Sequence, residues 1–101
     1  MMSLLKVKLR NLKMPDKFEV GDYREIRRSF SSGDVQSFAN LSGDMNPIHL
    51  DMDYARTTPF GQPIVHGILA ASLFSALIAN DIPGTGSIYL HQDLDFKSPV
   101  F

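Results

Sequence analysis

The sequence predicts one α+β domain, an antiparallel sheet wrapped on a central apolar helix, and three stretches carry that expectation. From Ile68 to Ala79 only Ser72 and Ser75 interrupt a run of Ile, Leu, Phe and Ala, and a helix that is apolar on every side is a buried one. Residues 87–100 alternate, with Ile88, Leu90, Gln92, Leu94 and Phe96 in one set and Tyr89, His91, Asp93, Asp95 and Lys97 in the other. That is the period of a strand with its first set on a core. Between the N-terminal elements and the helix lie residues 41–49, Leu-Ser-Gly-Asp-Met-Asn-Pro-Ile-His, where five kinds of chemistry crowd into nine positions.

Composition narrows the field. The chain has 101 residues, 44 % of them hydrophobic, enough for a packed core in a single domain and too many for a disordered chain. A net charge of −1 argues against a nucleic-acid surface built on overall charge. With no cysteine, disulfide frameworks and thiolate zinc sites are excluded. No apolar run reaches the roughly 18–20 residues that span a bilayer.

Taken in order, residues 1–17 stand apart as an N-terminal extension, with the domain at 18–101. Lys6, Lys8, Arg10 and Lys13 precede the first acidic residue, Asp16, and are interleaved with Leu4, Leu5, Val7, Leu9 and Leu12. A basic, acid-free, partly amphipathic start fits a mitochondrial transit peptide. Strict alternation over Leu5–Arg10 fits an extra edge strand equally well. A turn at Phe18–Asp22 then leads into a strand over Tyr23–Phe30, with Ile26 and Phe30 inward. Ser31 begins a helix-start signal with Asp34 in the first turn, and Val35, Phe38 and Ala39 form its apolar face.

Gly43 permits backbone angles that other residues avoid, and Pro47 pushes Asn46 out of the helical region. Asp44 and His49 thus sit five positions apart on a bent, stiff segment that can aim both at one point. An Asp with a His is the simplest pair for moving protons near neutral pH; turn chemistry followed by an incidental His is the plainer reading. Asp51 caps a further short helical piece with Tyr54 and Ala55, and Thr57–Pro63 is loop. Gly67, near the start of the apolar helix, allows close approach of a ligand or, equally, tight helix packing. Ser72 and Ser75 bond by default to carbonyls of the preceding turn. Asn80 and Pro83-Gly84 stop the helix.

Three pieces together resemble a known family: Phe38-Ala-Asn-Leu-Ser-Gly-Asp-Met-Asn-Pro-Ile-His49, Pro63-Ile-Val-His-Gly-Ile-Leu-Ala-Ala-Ser-Leu-Phe-Ser75, and Pro83-Gly-Thr-Gly-Ser-Ile-Tyr-Leu90 with Leu94-Asp-Phe-Lys-Ser-Pro-Val-Phe101. In this order and spacing the chain resembles the MaoC-like, or (R)-specific enoyl-CoA hydratase, family of the hot-dog fold. The resemblance implies water addition to a trans-2-enoyl thioester, giving the (R)-3-hydroxyacyl thioester, or the reverse dehydration. By the same resemblance Asp44 and His49 match the catalytic pair, with His49 the base on the water and Asp44 the partner that delivers a proton to the α-carbon. Gly67 matches the residue whose N–H binds the thioester carbonyl, where negative charge develops. Asn46 is placed beside the substrate as a stiffener of the bend, and Ser75 at a helix position near the site, with back-bonding its alternative. His66 is read as structural and His91 as surface or interface.

The resemblance further implies no cofactor and no metal, a coenzyme A or acyl-carrier-protein thioester as substrate, and a homodimer. Mitochondrial, peroxisomal and cytoplasmic settings all host relatives, and the N-terminus favours the first. Domains of this family continue past the Lys-Ser-Pro-Val-Phe stretch with further strands, so the hot-dog fold is expected to be incomplete at the C-terminus, as in a truncated gene product, an alternative isoform or an incomplete gene model. A non-catalytic acyl-thioester-binding module and an inactive fragment are the alternatives. A metal hydrolase built on Asp44, His49 and His66 lacks His-Glu-x-x-His spacing.

Overall fold

A computed structural model of the protein describes residues 2–8 and 19–101. Among these are two strands, β1 (Met2–Lys8) and β2 (Tyr23–Ser29), and four helices, α1 (Ser32–Ser42), α2 (Pro47–Leu50), α3 (Met52–Arg56) and α4 (Gly67–Asn80). The α+β class holds. β1 and β2 pair in a two-stranded sheet, so the edge strand that is one of the two readings of Leu5–Arg10 is formed, at Met2–Lys8, while residues 9–18 lie outside the described residues. The chain divides into two compact units: residues 2–3, 28–70 and 95–101 make up one, residues 4–8, 19–27 and 71–94 the other.

The first unit is organised by α1. Ser31 is its N-cap, with the hydroxyl accepting from Asp34 N–H at 3.0 Å while the Asp34 carboxylate accepts from Ser31 N–H at 2.9 Å. Two orphan backbone donors are thereby satisfied reciprocally. Hydrogen bonding to its carboxylate from Ser31, the backbone N–H first and the side chain second, holds the Asp34 carboxyl below the usual carboxylate range. A depressed folded-state pKa means that the cap's contribution is present above that ordinary range and is lost as pH falls through the lowered value. Ser31→Ala is expected to cost about 1 kcal/mol, read as a lowered denaturation midpoint at neutral pH, and the deficit against wild type should shrink in strong acid.

Val35 and Ala39 on α1 are buried, as are Phe30, Ala55, Val65 and Ala70 of the same unit. Gly43 closes α1 at φ +84°, its N–H donating to Ala39 O at 2.8 Å. The positive φ is one that a side chain would strain, and it turns the chain sharply into Asp44.

In the second unit, Ile26 of β2 shares a cleft with Ala76 and Leu77 of α4, and the Arg24 guanidinium pairs with Asp81 at 3.2 Å. Leu73, Leu77 and Ile82 are its large buried apolar side chains, each worth roughly 1.5–3 kcal/mol of transfer free energy. Beyond Asn80, Ile82 N–H still reaches Leu77 O and Gly84 N–H reaches Ile78 O, both at 2.9 Å.

Two expectations are corrected. α4 is not buried on every side: Ile68 is 56 % exposed. Nor do residues 87–100 form a strand. Ile88 and Leu90, expected to face the core, are 77 % and 90 % exposed. Alternation makes a segment competent for a sheet, but a strand exists only against a hydrogen-bonded neighbour, and among the described residues no strand lies beside this one. The same lack of a wider sheet leaves α4 partly bare.

Candidate functional site

The site lies wholly within the first unit and is built by the bend after α1. Asp44 follows the left-handed Gly43, and its Oδ1 accepts from Asn46 N–H at 3.2 Å. Asn46 caps α2, its side-chain oxygen accepting from Ile48 N–H at 3.2 Å, and Pro47 opens the helix where a missing N–H costs nothing. One turn later His49 projects from α2. Its Nδ1 lies 2.8 Å from Ile64 O. A carbonyl only accepts, so Nδ1 carries the hydrogen and the neutral ring keeps its lone pair at Nε2. Ile64 N–H in turn donates to Ile48 O at 3.2 Å, tying α2 to the segment that leads into α4.

Asp44, His49, His66 and Gly67 line one cavity of about 490 Å³, together with Phe60, Ile64, Phe96 and Val100 among others. Its walls are mostly apolar and its polar groups few, the usual make-up of a small-molecule site. Asp44 is exposed and His49 half-buried. Gly67 opens α4, where backbone N–H groups have no partner within the helix. The Phe96 ring lies against it: a Cβ at position 67 would stand 2.7 Å from the Phe96 ring.

Asp44, His49 and His66 each present a donor atom, and the three atoms lie within 4.8 Å of one another. As metal ligands they are poorly arranged. The two imidazoles stack, centroids 3.9 Å apart and planes 27° from parallel, so their in-plane lone pairs run side by side instead of converging on one ion. Proton transfer needs no such convergence.

Other expected positions fall elsewhere. Asn46 does not line the cavity; its hydrogen bonds stiffen the bend. Ser75 is exposed on α4 in the second unit and is not a lining residue. His91 is exposed, 3.2 Å from Asp93. Phe60, Phe96 and Lys97 line the cavity without having been singled out from the sequence. Phe96 could have been found by asking which apolar residue precedes the Lys-Ser-Pro turn.

The MaoC like domain profile matches residues 17–101. The chain is 54 % identical over 83 residues to an (R)-specific enoyl-CoA hydratase of Aeromonas caviae, covering 82 % of this chain and 62 % of that protein. It is 41 % identical over 83 residues to a mitochondrial 3-hydroxyacyl-[acyl-carrier-protein] dehydratase of Arabidopsis thaliana, covering 82 % and 49 %. A solved (R)-hydratase from A. caviae, involved in PHA biosynthesis, superposes with a TM-score of 0.71 at 42 % identity, over 100 % of this chain and 61 % of that one. The chain therefore spans about three fifths of the length of the hydratase it resembles, and what it shows is part of a hot-dog fold. The matched domain and the relatives agree: the chain belongs to the MaoC-like domain family.

Proposed function

We propose that the protein carries out (R)-specific hydration of trans-2-enoyl thioesters, and the reverse dehydration of (R)-3-hydroxyacyl thioesters, with Asp44 and His49 as the proton-transfer pair. The observation that carries this reading is the meeting of an Asp carboxylate and a His with a free Nε2 in one apolar cavity beside the first N–H of α4. His49 Nε2 takes a proton from water as its oxygen adds to C3, and negative charge moves onto the thioester oxygen. Gly67 N–H meets that charge, the moment at which a fixed donor contributes most. The proton returns to C2 through Asp44, so the pair ends as it began and no cofactor is consumed. Binding alone needs neither titratable group, which favours the enzyme over a passive acyl-binding module.

The test is dehydration of separate (R)- and (S)-3-hydroxybutyryl-CoA, followed by growth of enoyl-thioester absorbance. Growth with the (R) form alone is expected; growth with the (S) form, or with neither from folded protein, sets the proposal aside. Running the same acyl group on an acyl carrier protein separates the two thiol carriers.

The same reading includes a division into an extension at 1–17 and a domain at 18–101, a homodimer and a mitochondrial setting. The last is supported by the basic, acid-free start of the sequence and by the mitochondrial name of the Arabidopsis relative. Residues 1–17 fused to a fluorescent protein should reach mitochondria; a diffuse signal contradicts it.

Gly67→Ala should separate fold from function. The exposed Phe96 ring can swing from the new methyl, so the melting temperature should hold. The methyl and displaced ring would crowd the carbonyl's place, and turnover should fall about 10-fold or more, since a 1 Å misplacement can cost ~10²-fold.

A further inference from the structure

We propose that His66 is a positioning residue that fastens the Asp44 backbone to the His49 ring, a role that rests on the reading of Asp44 and His49 as the proton-transfer pair. His66 is 2 % exposed and so meets almost no solvent. Its Nε2 lies 3.1 Å from the main-chain oxygen of Asp44. That oxygen can only accept, so Nε2 is the protonated nitrogen and, in the neutral ring, Nδ1 bears the lone pair. One face of the ring stacks on His49 at 3.9 Å, and Phe38 meets it edge-on at 4.8 Å and 65°. On either side the backbone is pinned: Val65 N–H donates to Val100 O at 2.7 Å, and Ala70 N–H to His66 O at 3.1 Å.

Packing alone does not ask for histidine here. His66 Nδ1 is buried with no hydrogen-bond partner among the described residues, a penalty that Leu or Phe would avoid. What imidazole alone supplies is a donor for the Asp44 carbonyl on the same flat ring that backs His49. One side chain thus fixes the carboxylate's loop and the base's plane together, across 22 and 17 positions of sequence.

The test uses the whole 101-residue chain with His66→Phe, which keeps the stacking face and loses the donor, and His66→Gln, which keeps a donor and loses the ring. Long-range proton–nitrogen spectra of the wild-type imidazoles should show His66 protonated at Nε2 and His49 at Nδ1, and the His49 ring signals should move in His66→Phe. In hydration assays His66→Phe should lose roughly 10–100-fold in kcat, with KM and the folded fraction near wild type, and His66→Gln should recover part of the loss. His66 protonated at Nδ1, a His66→Phe protein with wild-type kcat and unmoved His49 signals, or a loss that merely tracks the folded fraction would overturn the proposal. Should the wild-type chain turn over no thioester, the hydratase reading fails while the imidazole spectra still decide the role of His66. Should His66→Phe fail to fold, those spectra and His66→Gln decide it.

Discussion

Asp44→Asn is expected to remove thioester hydration, by ~10³-fold or more in kcat, at the upper part of the range for a positioned acid–base group. The amide is nearly isosteric and still offers an oxygen to Asn46 N–H, the 3.2 Å bond that shapes the bend, so the fold should be kept. What is lost is a group able to take and return a proton. Asp44 contributes one polar group to a cavity with mostly apolar walls, so KM should stay within about threefold, the signature of an interaction made in the transition state and not in the ground state. Steady-state kinetics with a circular dichroism control reads both quantities. A large rise in KM at constant kcat would assign Asp44 to binding instead.

His49→Gln is expected to be almost as damaging, by about 10²–10⁴-fold, for a related reason. Glutamine keeps a polar tip near Ile64 O, the partner of His49 Nδ1 at 2.8 Å, but presents no basic nitrogen to the water. Because the two residues pass one proton between them, the double variant Asp44→Asn/His49→Gln should be little worse than either single one, as for groups that act as a unit. Losses that add in full would mean that the two groups act independently.

How far the sequence could be read depended on the range of the interaction. The Ser31–Asp34 cap, the inward Val35 and Ala39, the turn at Gly43 and the capping of α3 by Asp51 are all settled within a few residues, and each is present. The Asp44–His49 bend was visible for the same reason, since Gly43, Asn46 and Pro47 set it locally. Residues 87–100 were misread because alternation reports what a segment can do on a sheet, and nothing within that segment reports whether a neighbour is there. The sequence reads His66 as structural and shows neither of its partners, because Asp44 and His49 lie far from it in the chain. The Val-His-Gly step into α4 marks the position; only the folded chain shows what the imidazole touches.

Crotonyl-CoA hydration by the purified 101-residue chain, followed as loss of enoyl-thioester absorbance beside its Asp44→Asn variant, tests the central claim most directly. Turnover in the wild type that vanishes in the variant is the predicted result, placing the chemistry at the Asp44–His49 cavity. Equal rates in both proteins, or no turnover by soluble, folded wild type, would contradict it.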